Sequence, residues 1–269
     1  MKTAFSLLIF LSIFINCTRP AQSSDPIPKH ETIAIDSKIL GEKRIINIWT
    51  PPQYANNSEK FPVLYMADGG LKEDFPHIAN TLSKLIAAKK IPPFTFVGIE
   101  NTQRRRDLTG PTQVATDKEI APIVGGSENF RNFLATELIP EIDKKYRTSA
   151  EKGILGESLS GLFVTETLFL KPEMFDYYIA FDPSIWWNNK ELVRTAKSHL
   201  SNFPATEKRF WFAGSDAEDI YLNTKKLAEI LETEKLPNLK FNYSPEPKEQ
   251  HSTIFRATKE KAFIWTLNK

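Results

Sequence analysis

Six short apolar runs, each followed by a turn or a helical stretch, restrict this chain's folding options more than any other feature. They are FPVLYMAD (61–68), FTFVGIE (94–100), KGILGE (152–157), YYIAFDPS (177–184), KRFWFAGS (208–215) and LKFNYS (239–244). Several are apolar nearly throughout rather than alternating, which is the pattern of strands buried on both faces. Between them lie stretches with helical spacing, such as HIANTLSKLIAAKK (77–90), with Ile78, Leu82, Leu85 and Ile86 on one face. Strands alternating with helices predict an α/β fold: a mostly parallel central sheet with helices covering both faces. Two earlier β-rich runs, ETIAIDSKIL and EKRIINIWT, flank Gly41 and read as a hairpin. Pro140 is expected to kink or split the helix of ENFRNFLATELIPEIDKKY. Residues 101–127 lack periodicity and read as a long functional loop.

With 269 residues and 41% hydrophobic content, the chain can build one large core. No internal repeat or low-complexity tract divides it. Residues 24–269 are expected to form a single domain. Residues 1–23 differ in kind: Lys2 is followed by an apolar run from Ala4 to Ile15, too short to span a bilayer comfortably and laid out as a secretory signal. Small residues at Ala21 and Ser23 offer one exit. The single cysteine, Cys17, offers another, as the acylated first residue of a bacterial lipoprotein, although Asn16 before it departs from the usual small residue. The expected location is therefore periplasmic, secreted or anchored to a membrane through a lipidated Cys17. A lone cysteine allows no intramolecular disulfide, so the core must stabilise the fold. Without residues 1–23 the chain keeps 33 basic and 33 acidic residues. That balance gives no basis for electrostatic capture of nucleic acid.

The chemistry-bearing stretch is KGILGESLSGLF (152–163). A serine on a sharp strand-to-helix turn stands clear of the sheet when small residues occupy the positions two before and two after it. Gly156 precedes Ser158 by two; the position two after it is Ser160, with Gly161 displaced by one. Ser158 is thus the candidate nucleophile, and helix capping is the competing local role. A serine needs a base and an oxyanion site. In chain order the acid follows a late strand and the histidine comes near the C-terminus. His251, in PKEQHSTIF, lies between the last strand and the final helix and is the candidate base. Asp216 is the candidate acid, closest to the end of RFWFAG, with Glu218 as the alternative. The oxyanion donors are expected from the N–H of Leu159 and of Gly70, with Gly69 as fallback, in the Asp68-Gly69-Gly70 turn. There is no His/Cys cluster at metal-ligand spacing and no phosphate- or dinucleotide-binding glycine motif, so no metal or cofactor is expected.

LGEKRIINIWTPPQY, FPVLYMADGG with EDFPHIA, VGIENTQRRRDLT, GESLSGLF, DPSIWWNN and EQHSTIF resemble, in order and spacing, the Putative esterase branch of the α/β-hydrolases. That group includes esterase D and the ferric-enterobactin and related siderophore esterases. The resemblance implies an α/β-hydrolase fold and hydrolysis of a small-molecule carboxylic ester through an acyl-serine intermediate, with Ser158 as nucleophile and His251 as base. Trp186, Trp187 and Asn188 are placed to wall an acyl or aryl pocket, or else to pack the core. Arg104 to Arg106 are candidates to attract an anionic substrate, or to form a solvated turn with Asp107. Two other functions remain open on the same fold: a non-catalytic binding module, and acyl transfer by the same triad. Oligomeric state is not legible.

Overall fold

The computed structural model describes residues 25–268. The expected secretory leader and Cys17 lie outside the described residues. Eight strands form one sheet: β1 (Glu31–Ser37), β2 (Glu42–Trp49), β3 (Phe61–Ala67), β4 (Thr95–Ile99), β5 (Thr148–Glu157), β6 (Tyr177–Phe181), β7 (Lys208–Gly214) and β8 (Leu239–Pro245). Around it run α1 (Phe75–Ala87), α2 (Arg104–Leu108), α3 (Ala115–Ile120), α4 (Ser127–Phe133), α5 (Ile139–Lys145), α6 (Leu159–Leu170), α7 (Trp187–Leu200), α8 (Glu218–Glu234) and α9 (Ile254–Leu267).

The order across the sheet is β1-β2-β4-β3-β5-β6-β7-β8. β1 and β2 form the expected antiparallel hairpin, with Gly41 at φ +67° in its turn. β2 pairs antiparallel with β4, and every pairing from β4 to β8 is parallel. Alternate strand residues feed two cores. On β3, Val63, Tyr65 and Ala67 pack with α4, α6, α7 and α8, while Leu64 and Met66 pack with α1 and α9. Both sets are almost fully buried, so truncating one of these side chains to alanine is expected to cost about 2–5 kcal/mol. α6 is buried on nearly every face, as its apolar sequence requires of a helix at the centre of the molecule.

Two expectations are refined. Pro140 does not split its helix: residues 134–138 widen into a π-helical turn between α4 and α5, so the chain continues through a proline that cannot donate an N–H. Residues 101–127 are not devoid of structure, since α2 and α3 lie inside them. A buried ion pair anchors α2 to the sheet. Arg44 on β2 and Asp107 on α2, exposed by 1% and 2%, are in direct contact, and Phe130 of α4 lies under the guanidinium.

The parallel register sets up the site. Glu157 on β5 aligns with Phe181 on β6, and Phe181 with Ala213 on β7. The residues that follow these three strands therefore emerge side by side at one edge of the sheet.

Candidate active site

Ser158 occupies the N-cap position of α6 without a side-chain cap hydrogen bond, at φ +58° and ψ −119°, a conformation few L-residues adopt. The turn that imposes it depends on close backbone approach. A Cβ on Gly156 would fall 2.6 Å from the Ser160 backbone carbonyl carbon, so only glycine fits there. Gly161 serves a second approach, since its Cβ would sit 3.0 Å from the Phe181 carbonyl oxygen. Ser160 fits between them almost fully buried, but its hydroxyl has no hydrogen-bonding partner among the described residues. Asp68 after β3 and Asp182 after β6 also have positive φ, +60° and +47°. Strained residues thus stand at the ends of three strands on the same edge, a clustering typical of functional sites.

His251 reaches this edge from the loop after β8. Its Nε2 lies 3.1 Å from Ser158 Oγ, and its Nδ1 lies 2.5 Å from Asp182 Oδ2. An ionised carboxylate only accepts, so Nδ1 carries the proton and Nε2 presents its lone pair to the serine hydroxyl. Asp182 is fully buried, whereas the His251 side chain is 44% exposed. The hydrogen bond to Asp182 raises the pKa of His251 above the ordinary 6.5, against the opposing effect of burial.

The expected acid was misplaced. Asp216 and Glu218 are exposed, and neither bonds His251; Asp216 uses its N–H on the Glu249 carbonyl, and Glu218 opens α8. The carboxylate against the imidazole is Asp182, from the strand before. At the end of β7 stands Ser215 instead, donating its N–H (2.6 Å) and its hydroxyl (2.8 Å) to Asp182. Aspartate tolerates left-handed backbone better than most residues, which suits it to this turn. An Asp directly ending an apolar strand run, in AFDPS, was the signal available in the sequence.

The expected oxyanion donors differ in accessibility. Leu159 N–H opens the first turn of α6, where N–H groups lack intrahelical partners. Gly69 N–H bonds the Ile99 carbonyl (3.0 Å), and a Cβ there would lie 2.3 Å from Gly98 Cα. The Gly69 N–H is therefore already used on the end of β4, and the fallback assignment does not hold. Gly70 N–H points instead at a carboxylate, Glu73 Oε2, at 2.7 Å.

All three arginines are engaged within the protein. Arg104 forms a two-pronged pair with Asp68 (2.5 and 2.9 Å) and reaches the Glu157 carbonyl at 3.4 Å. Arg105 bonds the Ile120 carbonyl, and Arg106 bonds Glu42 and Asp107. Of these, only Arg104 stands beside the nucleophile turn; Arg106 braces α2 against β2.

Trp186 and Trp187 follow the Asp182 turn at the end of β6. Ser184 donates its N–H to the Ser158 carbonyl (3.1 Å), and its Oγ lies 3.4 Å from Ser158 Oγ. Trp187 is buried and donates its indole N–H to the Gly110 carbonyl (3.1 Å), fastening the 101–127 loop. Trp186 is half-buried and packs against it, so Trp186 is the indole available to a pocket. Asn188, Asn189 and Lys190 follow in left-handed conformation, φ 48–62°. Asp117 of α3 accepts the Asn188 N–H (2.8 Å) and the Thr112 hydroxyl (2.7 Å), which ties this turn to the loop.

Residues 37–268 match the family model described as "Putative esterase". The chain belongs to that family. A relative in Bacillus subtilis, ferri-bacillibactin esterase BesA, is 30% identical over 56% of the chain and 56% of its own length. The siderophore triacetylfusarinine C esterase of Aspergillus fumigatus is 28% identical over 65% of the chain and 62% of its own length. The chain thus aligns with little more than half the length of these relatives. Among solved structures, the BES protein from Bacillus cereus superposes with a TM-score of 0.80 at 24% identity, covering 92% of this chain and all of that one. An IroE-like serine hydrolase from Shewanella oneidensis gives 0.78 at 24% identity, covering 89% of this chain and 79% of that one. The α/β-hydrolase fold expected from the sequence is the fold observed.

Proposed function

We propose that the protein is a serine carboxylic-ester hydrolase using Ser158, His251 and Asp182. The observation that carries this reading is the imidazole of His251 standing between the Ser158 hydroxyl and a buried carboxylate, at hydrogen-bonding distance from both. That arrangement activates a serine and holds the base in the required tautomer.

In the first half-reaction His251 Nε2 takes the Ser158 proton as Oγ attacks the ester carbonyl. The resulting imidazolium is stabilised by Asp182. The negative charge on the former carbonyl oxygen is taken up by the Leu159 N–H and by the Gly70 N–H, the latter released when the oxyanion replaces the Glu73 carboxylate. His251 then gives its proton to the departing alkoxide, leaving an acyl-serine. In the second half a water loses a proton to His251 and attacks the acyl carbon, and Ser158 recovers its proton as the acid leaves. Trp186 forms a wall of the acyl or alcohol pocket, and Arg104 holds the Asp68 turn against the nucleophile.

Names of the relatives make a siderophore ester the first substrate class to test. Residues 1–23 are read as an export signal, or alternatively as a lipoprotein signal that ends before an acylated Cys17; fatty-acid labelling lost in Cys17→Ser would support the anchor.

Labelling with a fluorophosphonate probe tests the core of the reading. Wild type and Ser160→Ala are expected to label, and Ser158→Ala is not. Label retained by Ser158→Ala would refute the assignment.

A further inference from the structure

The turn that carries the acid also carries a hydroxyl. Asp182, Pro183 and Ser184 leave β6 together. Asp182 meets His251, while Ser184 meets the nucleophile, with 3.4 Å between the two serine Oγ atoms. Ser184 is buried, and among the described residues its hydroxyl has no other hydrogen-bonding partner. Its backbone is held on both sides. The Ser184 N–H bonds the Ser158 carbonyl and the Ser184 carbonyl accepts the Trp187 N–H, each at 3.1 Å. Pro183 sits close against α6, where a Cβ on Gly161 would fall 3.1 Å from Pro183 Cα.

Proton counting fixes the direction of the contact. Asp182 keeps a proton on His251 Nδ1, so Nε2 is an acceptor and takes the single Ser158 proton. Ser158 Oγ still has a free lone pair, and Ser184 has a proton to give.

Resting on the esterase reading, we infer that Ser184 is a further catalytic residue, whose hydroxyl donates to Ser158 Oγ and stabilises the negative charge that gathers on that oxygen during bond making and breaking. In acylation the Ser158 proton passes to His251 Nε2 as the Oγ–carbon bond forms. In deacylation that bond breaks, its electron pair stays on Oγ, and a proton returns from His251. Ser184 keeps its own proton throughout. A separation of 3.4 Å is long for a bond between two neutral hydroxyls; such catalytic contacts tighten as substrate binds and charge develops on the acceptor. The fixed turn means that little reorganisation is needed at that moment.

Ser184→Ala tests this, because it removes the hydroxyl and leaves the N–H on the Ser158 carbonyl. On a short-chain aryl ester kcat is expected to fall about tenfold with KM within about twofold of wild type. The pH midpoint of kcat/KM should not move, since the Asp182–His251 contact is untouched; a general collapse of the site would shift it. An aryl trifluoromethyl ketone separates this role from oxyanion binding. Its adduct with Ser158 puts the full charge on the ketone oxygen and turns Oγ into an ether oxygen, so its affinity should change by less than about threefold. Ser184→Cys fills the same space with a weak donor and keeps the test open if the alanine variant does not fold. Its kcat should fall between those of Ser184→Ala and wild type. Wild-type kcat in either variant, a shifted pH midpoint, or ketone affinity lost in parallel with kcat overturns this inference and leaves the esterase reading standing. Failure of the wild-type protein to hydrolyse any aryl ester overturns the esterase reading itself.

Discussion

Ser215 donates both its backbone N–H and its hydroxyl to Asp182, the carboxylate that touches His251. The two residues follow adjacent parallel strands, and together they present one buried, fully oriented acid to the imidazole. The β7 end, where chain order places the acid, here supplies the support for it. The two hydrogen bonds fix the orientation of the carboxylate against the imidazole.

Replacing the acid distinguishes the two strand ends. Asp182→Asn is expected to lower kcat on a short-chain aryl ester by about three to four powers of ten, as loss of a triad acid does elsewhere. Asp216→Asn and Glu218→Gln, on exposed side chains, should stay within about twofold of wild type. Steady-state kinetics of the three variants is the measurement.

A second expectation concerns pH. In the proposed mechanism the neutral imidazole is the base, and the Asp182 hydrogen bond raises the His251 pKa. The rising limb of kcat/KM should therefore have its midpoint above 6.5 and move to lower pH in whatever residual activity Asp182→Asn retains. A wild-type midpoint below 6.5 would contradict the assigned pairing.

How much of this was legible in the sequence depends on what each residue's signal was. The strands from β3 to β8 could be read because unbroken apolar runs such as YYIAF and RFWFA have few other uses. That Ser158 and His251 would come together could be read from Gly156 before the one and the place of the other in the last loop, and the two side chains are 3.1 Å apart. Asp182 could not be read from order, because register decides the matter. Phe181 and Ala213 are partners across β6 and β7, so both strands end on the edge that His251 reaches, and chain order does not say which of them carries the acid. The arginine run was ambiguous for a different reason. Its partners Asp68 and Glu42 lie 36 and 64 residues away, beyond any local pattern.

His77 provides a stability test. It is 2% exposed on α1, edge-on to Phe255 of α9, and both ring nitrogens lack hydrogen-bonding partners among the described residues. Asp74 stands 3.6 Å from Nδ1, too far for a hydrogen bond, while Lys259 and Arg256 oppose a proton there. Burial, outweighing Asp74, lowers its pKa below 6.5. The unfolded chain therefore binds the proton more readily than the folded one. The stability that neutral His77 supports is complete above 6.5 and is lost as pH falls from there through the lowered value. His77→Phe should remove this contribution, so the difference in Tm between wild type and variant should grow in the variant's favour between pH 7 and pH 5.

Ser160 makes the opposite kind of prediction. Its buried hydroxyl has no hydrogen-bonding partner among the described residues, and it stands beside Gly156. Ser160→Ala should retain activity and leave stability unchanged or raise it by about 1 kcal/mol, measured by denaturant unfolding.

The most direct test follows the acyl group itself. Rapid quenching during turnover of an aryl ester, followed by peptide mass spectrometry, should find the acyl mass on the peptide containing Ser158, and fragmentation should place it on that side chain. Steady turnover with no acyl adduct at Ser158, or with the adduct on another residue, would contradict the account.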